Sequence, residues 1–263
     1  RQMCIRDRSS LGVTLSPNCC SLAGADAEAD ADHKAAKRRR DQDVRPRLHA
    51  RAQDAGPGLL TGGVRLSGQG VVTPTIIENS TDPEICGREH TLQDLIVGPD
   101  RGIRYVIAAL VDVPEARIPQ IVDEPLIIDN RGCRFTPHVG VVMAGTVIEV
   151  TNSDPVLHTT HLYGAMETNL ALPRAGLRVS RVAEGIGMVV VKCDVHGWMQ
   201  SFLRIDPHPF HAVTDANGAF RINNIPSGDY SLEFWHERLG QLHRSIRIEP
   251  AQTTEITLSY DYR

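Results

Sequence analysis

The sequence predicts an all-β protein built from β-sandwiches. From about residue 58 onward, short runs rich in Val and Ile alternate with turns rich in Gly, Pro, Asn and Asp, a pattern typical of strands joined by short turns. No segment carries the apolar periodicity of an amphipathic helix longer than a few turns. The remaining length, roughly 200 residues, suffices for one large or two small domains, so we expect one sandwich or two.

The first 57 residues are expected to be disordered or artefactual. Residues 1–8, RQMCIRDR, match the translation of a transposase end sequence used to prepare sequencing libraries, so we expect adapter sequence there. Residues 26–57 carry dense mixed charge, and such a composition cannot bury enough apolar surface to order itself. We therefore interpret the basic run KRRR as part of a solvated tail, and we expect any true signal peptide to be missing or corrupted.

The charge of the predicted folded part argues against a nucleic-acid partner. From residue 58 onward, 17 Lys and Arg stand against 24 Asp and Glu, a net charge of −7, and such a surface repels phosphate. No stretch approaches the ~18–20 unbroken apolar residues of a membrane span. We expect neither nucleic acid nor a membrane span, and the sequence does not predict an oligomeric state.

The segment KCDVHGWMQ, residues 192–200, places three metal-binding side chains within seven residues. Cys193, His196 and Met199 offer a thiolate, an imidazole and a thioether. Copper electron-transfer sites combine two imidazoles and one thiolate with a weak axial thioether. The second imidazole is available upstream, where His158 follows a predicted strand and turn. Each residue alone is more simply a core or surface residue, but together they predict a copper site.

These two segments resemble the blue-copper cupredoxins, most closely the amicyanin type. A strand ends at Asn152 with a His six residues later, and Gly187 opens a strand that reaches a Cys six residues later. The loop that follows is Cys-x-x-His-x-x-Met with an aromatic residue before the Met. The resemblance implies a Greek-key sandwich that holds one mononuclear type 1 copper ion, with these ligands: His158, Cys193, His196 and Met199.

The sequence departs from the family pattern next to the ligands. The family usually has Asn directly after its first ligand His, bonding across to the Cys loop, whereas this chain has Thr159. By the resemblance, Asn152, Thr159 and His161 would support the ligands rather than bind the metal. We expect the other histidines at turns or on the surface, with His138 at the far end of its strand from the Cys loop. The remaining histidines considered as ligands are His208, His211 and His236.

The ligand loop also predicts how electrons would reach the metal. The loop is short and flanked by Gly197 and Trp198, so the His196 ring is expected to reach the surface. Val156, Leu157 and Trp198 would form a small apolar docking patch, which suits transient redox encounters. Four protein ligands leave no open coordination position for a substrate, so we expect electron transfer and not an enzyme.

Two further cysteines, Cys86 and Cys133, remain after Cys4, Cys19, Cys20 and Cys193 are set aside. In a β-rich chain that is expected to be exported, such a pair suggests a disulfide. Two free thiols are the alternative.

The C-terminal part predicts a second sandwich. Its Thr-Asp-x-x-Gly-x-Phe and Pro-x-Gly-x-Tyr turns resemble the carboxypeptidase regulatory-like, transthyretin-like domains, and residues 215–218 are expected to form a tight hairpin turn. Because this part is short for that fold, we predict that residues 58–118 plus 207–263 form one sandwich, with a cupredoxin of residues 121–206 inserted. The alternative is two consecutive units, residues 58–206 and 207–263.

The arrangement resembles bacterial proteins of the methylamine-utilisation type. It implies a periplasmic or secreted blue-copper electron carrier whose partner is a c-type cytochrome or a dehydrogenase. Two alternatives stay open, namely a copper carrier and a carbohydrate-binding-like or scaffold module. Exchange of copper with a chelator within minutes would favour the carrier. A glycan surface needs a flat row of aromatic side chains, which a chain with five Tyr, five Phe and two Trp does not display.

Overall fold

Strands dominate the computed structural model, which describes residues 56–119 and 124–262, and the all-β prediction is confirmed. Residues 1–55, 120–123 and 263 lie outside the described residues, and so does nearly all of the segment predicted to be disordered. The only α-helix in the described part is α1 (Pro83–Cys86), and no helix there is long and apolar enough to cross a membrane. The strands are β1 (Gly58–Ser67), β2 (Ile76–Glu78), β3 (Glu89–Thr91), β4 (Ile107–Val111), β5 (Leu126–Asn130), β6 (Phe135–Thr136), β7 (Val139–Met143), β8 (Val147–Asn152), β9 (His158–Gly164), β10 (Thr168–Leu172), β11 (Arg178–Val182), β12 (Gly187–Lys192), β13 (Gln200–Asp206), β14 (His211–Val213), β15 (Ala219–Ile225), β16 (Gly228–His236), β17 (Gly240–Ile248) and β18 (Thr253–Asp261).

The middle of the chain forms two sheets that share a core. One sheet has the strand order β10-β9-β12-β13-β7, and the other has the order β11-β8-β5-β6. The Val-rich strand β12 shows why they pack together: Val189 and Val191 are fully buried, whereas Val190 is only partly buried, as the alternating side-chain directions of a strand require. A single core cluster joins side chains from both sheets, including Ile128, Phe135, Ile148, Leu162 and Leu203.

The described strands that precede and follow this middle part form the other pair of large sheets. Strand β1 lies between β15 and β18, pairing with β18 in parallel over nine residues, and β4 lies between β14 and β16. Their common core contains Leu60, Val64, Leu110, Leu232 and Phe234. If the middle sandwich is an insertion, the strands before it and after it in the sequence must pair with one another, as β1 does with β15 and β18. The domain division itself stays a prediction, because the described residues form one compact unit.

The two pairs of sheets meet through an apolar contact and a buried ion cluster. Ile107 and Ala109 of β4 pack with Val139 and Phe202. Beside them, the Asp206 carboxylate accepts a hydrogen bond from the Arg204 Nε atom at 2.7 Å and contacts the His211 ring at 2.9 Å. Burial alone would raise the pKa of Asp206, but these two partners hold it below its ordinary value. The charge is therefore compensated inside the protein.

The turn at residues 215–218 forms, but it is not a hairpin turn. It connects β14 to β15, which belong to different sheets. Gly218 has a φ of 74°, and its carbonyl accepts a hydrogen bond from the Val64 N–H at 2.8 Å. A Cβ atom at this position would collide with the Val64 carbonyl oxygen. The glycine therefore allows the turn to pack against the backbone of β1, a contact that the turn sequence does not reveal.

Two of the histidines predicted at turns or on the surface are buried within this second pair of sheets. His208 is 2% exposed and His236 is 1% exposed, so neither lies on the surface, although His208 does lie in the bend between β13 and β14. His211 is half-buried against Asp206. Burial lowers the pKa of His208, and it lowers the pKa of His236 to about 4. Nearby carboxylates, Asp206 for His208 and Glu237 for His236, act in the opposite direction but do not offset the effect of burial on the pKa, so both imidazoles are more stable in the neutral form.

We expect the protein to lose stability as the pH falls from about 6.5, the ordinary pKa of histidine, toward about 4, the pKa of His236 in the fold. In this window the unfolded chain binds more protons than the folded one, so stability rises with pH. The contribution of His236 is about 3 kcal/mol. Urea unfolding at several pH values should show a smaller pH slope for His236→Asn than for the wild type. His243→Asn, at a side chain that is 52% exposed, should leave the slope unchanged, and equal slopes for the two variants would contradict the assignment.

Candidate metal centre

The predicted ligands converge at one end of the five-stranded sheet. Strand β9 begins at His158, and the loop that contains Cys193, His196 and Met199 connects β12 to β13. Since β12 pairs with both β9 and β13, these segments meet at the same edge. Donor atoms of His158, Cys193 and His196 lie within 4.8 Å of one another, and all three residues are buried. The fold therefore brings these three predicted residues together, and their role as metal ligands stays a prediction.

The short ligand loop is closed by its own backbone. The Met199 N–H donates to the His196 carbonyl at 2.9 Å, and the Cys193 N–H donates to the Met199 carbonyl at 3.3 Å. Met199 is 2% exposed and belongs to the same core cluster as Cys193. The Cys193 Sγ atom lies 3.6 Å from the His196 Nδ1 atom. The backbone of the loop therefore keeps Cys193, His196 and Met199 together in one tight turn.

His158 is oriented by a carboxylate. Its Nε2 atom lies 3.0 Å from Asp154 Oδ2, and the two Asp154 oxygens also accept the N–H groups of Gly132 and Cys133 at 2.8 Å. Burial lowers the pKa of His158, although the Asp154 hydrogen bond acts in the opposite direction. Its Nδ1 atom is buried and has no hydrogen-bond partner. A neutral imidazole with one nitrogen held and the other free is what a metal ligand requires.

Asn152 shapes the turn that precedes His158. Its side-chain amide donates to the carbonyls of Val156 and Leu172, at 2.9 and 2.8 Å, and its Oδ1 atom accepts the Asp154 N–H at 2.8 Å. These bonds tie the end of β8 to the start of β9. Asn152 therefore acts on His158 indirectly, through the backbone and through Asp154.

Thr159 makes the cross-loop contacts that its position predicts. Its N–H points to the Cys193 Sγ atom at 3.4 Å, and its hydroxyl lies 3.8 Å from the same sulfur. The hydroxyl oxygen also accepts the Asp194 N–H at 2.7 Å. Thr159, where the sequence pattern would have Asn, therefore still links the start of β9 to the ligand loop. His161 lies on the opposite face of β9, where its ring contacts Asp194 at 3.1 Å.

The expectation that the His196 ring reaches the surface is wrong. His196 is fully buried, its Nε2 atom lies 3.1 Å from Asp82 Oδ2, and the Cys86 sulfur lies 3.7 Å from the same nitrogen. The predicted disulfide between Cys86 and Cys133 is present, with Cα atoms 5.4 Å apart. Residues from the N-terminal part of the fold therefore cover the ring, which no feature of the local loop sequence indicates.

The predicted docking patch is only partly exposed. Leu157 is 42% exposed, whereas Val156 and Trp198 are half-buried. The Trp198 ring stacks on His90 with centroids 4.1 Å apart, and its Nε1 atom donates to the Cys133 carbonyl at 3.0 Å. Of the three predicted patch residues, Leu157 is therefore the one most accessible to an approaching partner, and the indole of Trp198 is partly covered.

His138 lies nearer the ligand loop than predicted. It is 6% exposed, not on the surface, and it is hydrogen-bonded to Glu237. It lines a cavity of about 300 Å³ together with His90, Trp198 and Met199. The prediction of a position far from the Cys loop is wrong, because the backbone of His138 pairs with β13 at Phe202, directly after that loop.

Sequence reasoning missed two carboxylates at this site, Asp82 and Asp154. Asp154 could have been found, since it lies four residues before His158 in the same turn. Asp82 is 114 residues away from His196 in the sequence, and its neighbours carry no metal-binding pattern. Only the tertiary fold places it there.

Comparisons with known proteins are confined to part of the chain. No protein-family model matches the sequence, and no curated protein matches it. Similar solved structures include the Cu-containing nitrite reductase NirK from Thermus scotoductus SA-01, with 20% identity and a TM-score of 0.28 over 35% of this chain and 27% of that one, so this chain spans about a quarter of its length. A purple cupredoxin from Nitrosopumilus maritimus has 23% identity and a TM-score of 0.28, over 32% of this chain and all of the other. A reduced Cu(I) amicyanin variant has 17% identity and a TM-score of 0.29, over 38% and 98% of the two chains. Similarities of this size do not assign a function.

Proposed function

We propose that this protein is a mononuclear type 1 copper protein that transfers single electrons and is not an enzyme. The observation that carries the proposal is the set of three buried donors, His158, Cys193 and His196, within 4.8 Å of one another, one of which has an unpartnered nitrogen. Copper, when bound, would supply a one-electron couple. Met199 is the proposed axial ligand.

The donor set supports copper over zinc. A structural zinc site would want a fourth Cys or His ligand, and the fourth candidate here is the thioether of Met199. A thiolate with two imidazoles and a distant thioether suits both oxidation states of copper. Because all four side chains are buried, water and substrates are excluded, which favours electron transfer over bond-making chemistry.

The chain's own groups would hold the donors in place between oxidation states. Asp154 fixes one nitrogen of His158, and the Thr159 N–H and hydroxyl point at the Cys193 sulfur. Hydrogen bonds to a thiolate sulfur stabilise its negative charge and so tune the reduction potential. Donors that are held by such bonds need little rearrangement when an electron is gained or lost.

The partner and the compartment follow from the same proposal. A c-type cytochrome or a dehydrogenase would exchange electrons with the centre. The Cys86–Cys133 disulfide favours an oxidising compartment, since such bonds persist mainly outside the cytosol. We therefore propose a periplasmic or secreted protein.

Titration of the full-length apoprotein with Cu(II) tests the function. We expect one ion per chain and an intense visible absorption band from thiolate-to-copper charge transfer, which ascorbate should bleach and ferricyanide restore. Cu(II) uptake without a visible band would contradict the proposal. Transfer of copper to a chelator within minutes would instead favour the copper carrier.

A further inference from the structure

The imidazole of His196 is enclosed by a segment from elsewhere in the chain. Residues 76–91, called here the cover segment, contain the antiparallel pair β2 and β3 with helix α1 between them. Asp82 lies at the start of α1 with its carboxylate 3.1 Å from the His196 Nε2 atom. The ring is fully buried, whereas the Asp82 side chain is 36% exposed. The carboxylate therefore stands between the ring and solvent.

Three contacts hold the cover segment in place. The disulfide joins Cys86 to Cys133, His90 stacks on Trp198, and Asp82 bonds to His196. All three contacts lie close to the His196 ring: Asp82 and the Cys86 sulfur approach its Nε2 atom, and the Trp198 ring lies 5.0 Å from it. Their spacing along the segment means that no single contact acts as the only attachment.

The cover segment is also ordered internally. The Asn79 side-chain amide donates to the carbonyls of Thr81 and Gly87, both at 2.8 Å, and its Oδ1 atom accepts the Thr81 N–H at 2.7 Å. Asp82 adopts a left-handed conformation with a φ of 47°, which Asp and Asn tolerate better than most residues. The loop therefore presents its carboxylate in one defined direction.

We propose that Asp82 is a positioning residue of the metal centre, and that the cover segment closes the imidazole of His196 to docking proteins and to reagents in solution. The bond at Nε2 fixes the ring so that Nδ1 faces the Cys193 sulfur, 3.6 Å away. His158 is held in the same way by Asp154. Each imidazole thus directs Nδ1 inward and rests its Nε2 on a carboxylate, an arrangement that orients a metal ligand and increases its basicity.

The positioning role rests on the proposed function, whereas the closure concerns the apoprotein alone and has its own test. Histidines of the full-length apoprotein would be modified with diethylpyrocarbonate, and the rate at each would be followed by peptide mass spectrometry. In the wild type, we expect His196 to react at least tenfold more slowly than His243, whose side chain is 52% exposed, a difference that corresponds to about 1.4 kcal/mol. Equal rates would overturn the closure.

Variants of the cover segment test the effect of each contact on the labelling rate of His196. Asp82→Asn retains the left-handed backbone but removes the charge, and we expect His196 to react several-fold faster. The matched control Glu84→Gln removes an exposed carboxylate two residues away and should leave the labelling rate of His196 unchanged. The double variant Cys86→Ser/Cys133→Ser should increase the rate further, and its far-ultraviolet circular dichroism would report whether it folds. If Asp82→Asn reacts no faster than Glu84→Gln, Asp82 does not hold the ring.

The copper-loaded protein tests the positioning role. Asp82→Asn should raise the reduction potential, because loss of a nearby negative charge disfavours Cu(II). Glu84→Gln removes the same formal charge but should shift the potential less, because solvent screens an exposed group. Equal shifts would overturn the positioning role. A wild type that takes up no copper would refute the proposed function, and the labelling rates would still decide the closure.

Discussion

Replacement of Cys193 by Ser is expected to abolish the visible absorption of the copper-loaded protein. The band requires a thiolate bonded to Cu(II), and Cys193 is the only free cysteine in the part of the chain that the structure describes. An alkoxide is a hard ligand with little affinity for Cu(I). We therefore expect copper affinity to fall by more than the about 10–100-fold that loss of an outer-shell partner costs. Absorption spectra and competition with a calibrated chelator would measure both effects.

A matched substitution shows whether the effect is specific. His161 lies three residues after His158, and its ring faces Asp194, away from the three donors. His161→Asn should therefore keep the band and the affinity of the wild type. A band that survives in Cys193→Ser, or that disappears in His161→Asn, would show that the metal is bound elsewhere. The pair of variants thus tests the location of the site as well as its chemistry.

Val64→Asp is expected to unfold the second pair of sheets at room temperature. Val64 is fully buried in strand β1, within the core that β1 shares with the C-terminal strands. A buried carboxylate without a partner destabilises a fold by about 4–5 kcal/mol or more, which is a large part of the ~5–15 kcal/mol that holds a typical domain together. The same substitution at Val71, which is 86% exposed, should have almost no effect.

The two tryptophans help to test whether the two pairs of sheets unfold separately. Trp198 lies in the ligand loop, whereas Trp235 lies in β16 with its ring 5.0 Å from that of Phe202 in β13. In a Trp198→Phe background the indole fluorescence therefore reports β16 together with its contact to the middle sheets. If residues 121–206 form an inserted unit, the copper band of Val64→Asp should persist under conditions in which the Trp235 signal is lost. Simultaneous loss of both signals in one transition would contradict the insertion and favour a single cooperative unit.

Spacing within a short segment was enough to predict the ligand loop. Three positions in Cys-x-x-His-x-x-Met lie within seven residues of one another, so a single tight loop brings them together regardless of the rest of the fold. The position of His158 was also predictable. Strand β8 ends at Asn152, and the strand that follows the turn begins at His158, so this histidine lies at the end of a strand, near the turn. The disulfide followed from the small number of cysteines that remained.

Long-range contacts were beyond the reach of the sequence. Asp82 carries no pattern that connects it to His196, and the burial of that ring follows from a segment 114 residues earlier. The burial of His138, His208 and His236 likewise depends on packing between sheets, and that packing cannot be predicted from the residue type. Histidine is intermediate between the residue types of the core and those of the surface, so residue type alone could not show that these three side chains are buried.

The sequence by itself determined the all-β class, the composition of the ligand loop and the cysteine pair, because each depends on residue type and on spacing over a few residues. Only the tertiary structure decided that the first and last strands pair with one another, that carboxylates hold both imidazoles, and that a disulfide-linked segment encloses His196. These contacts join residues far apart in the chain, and their free energy comes from desolvation and packing, which exist only after the chain has folded.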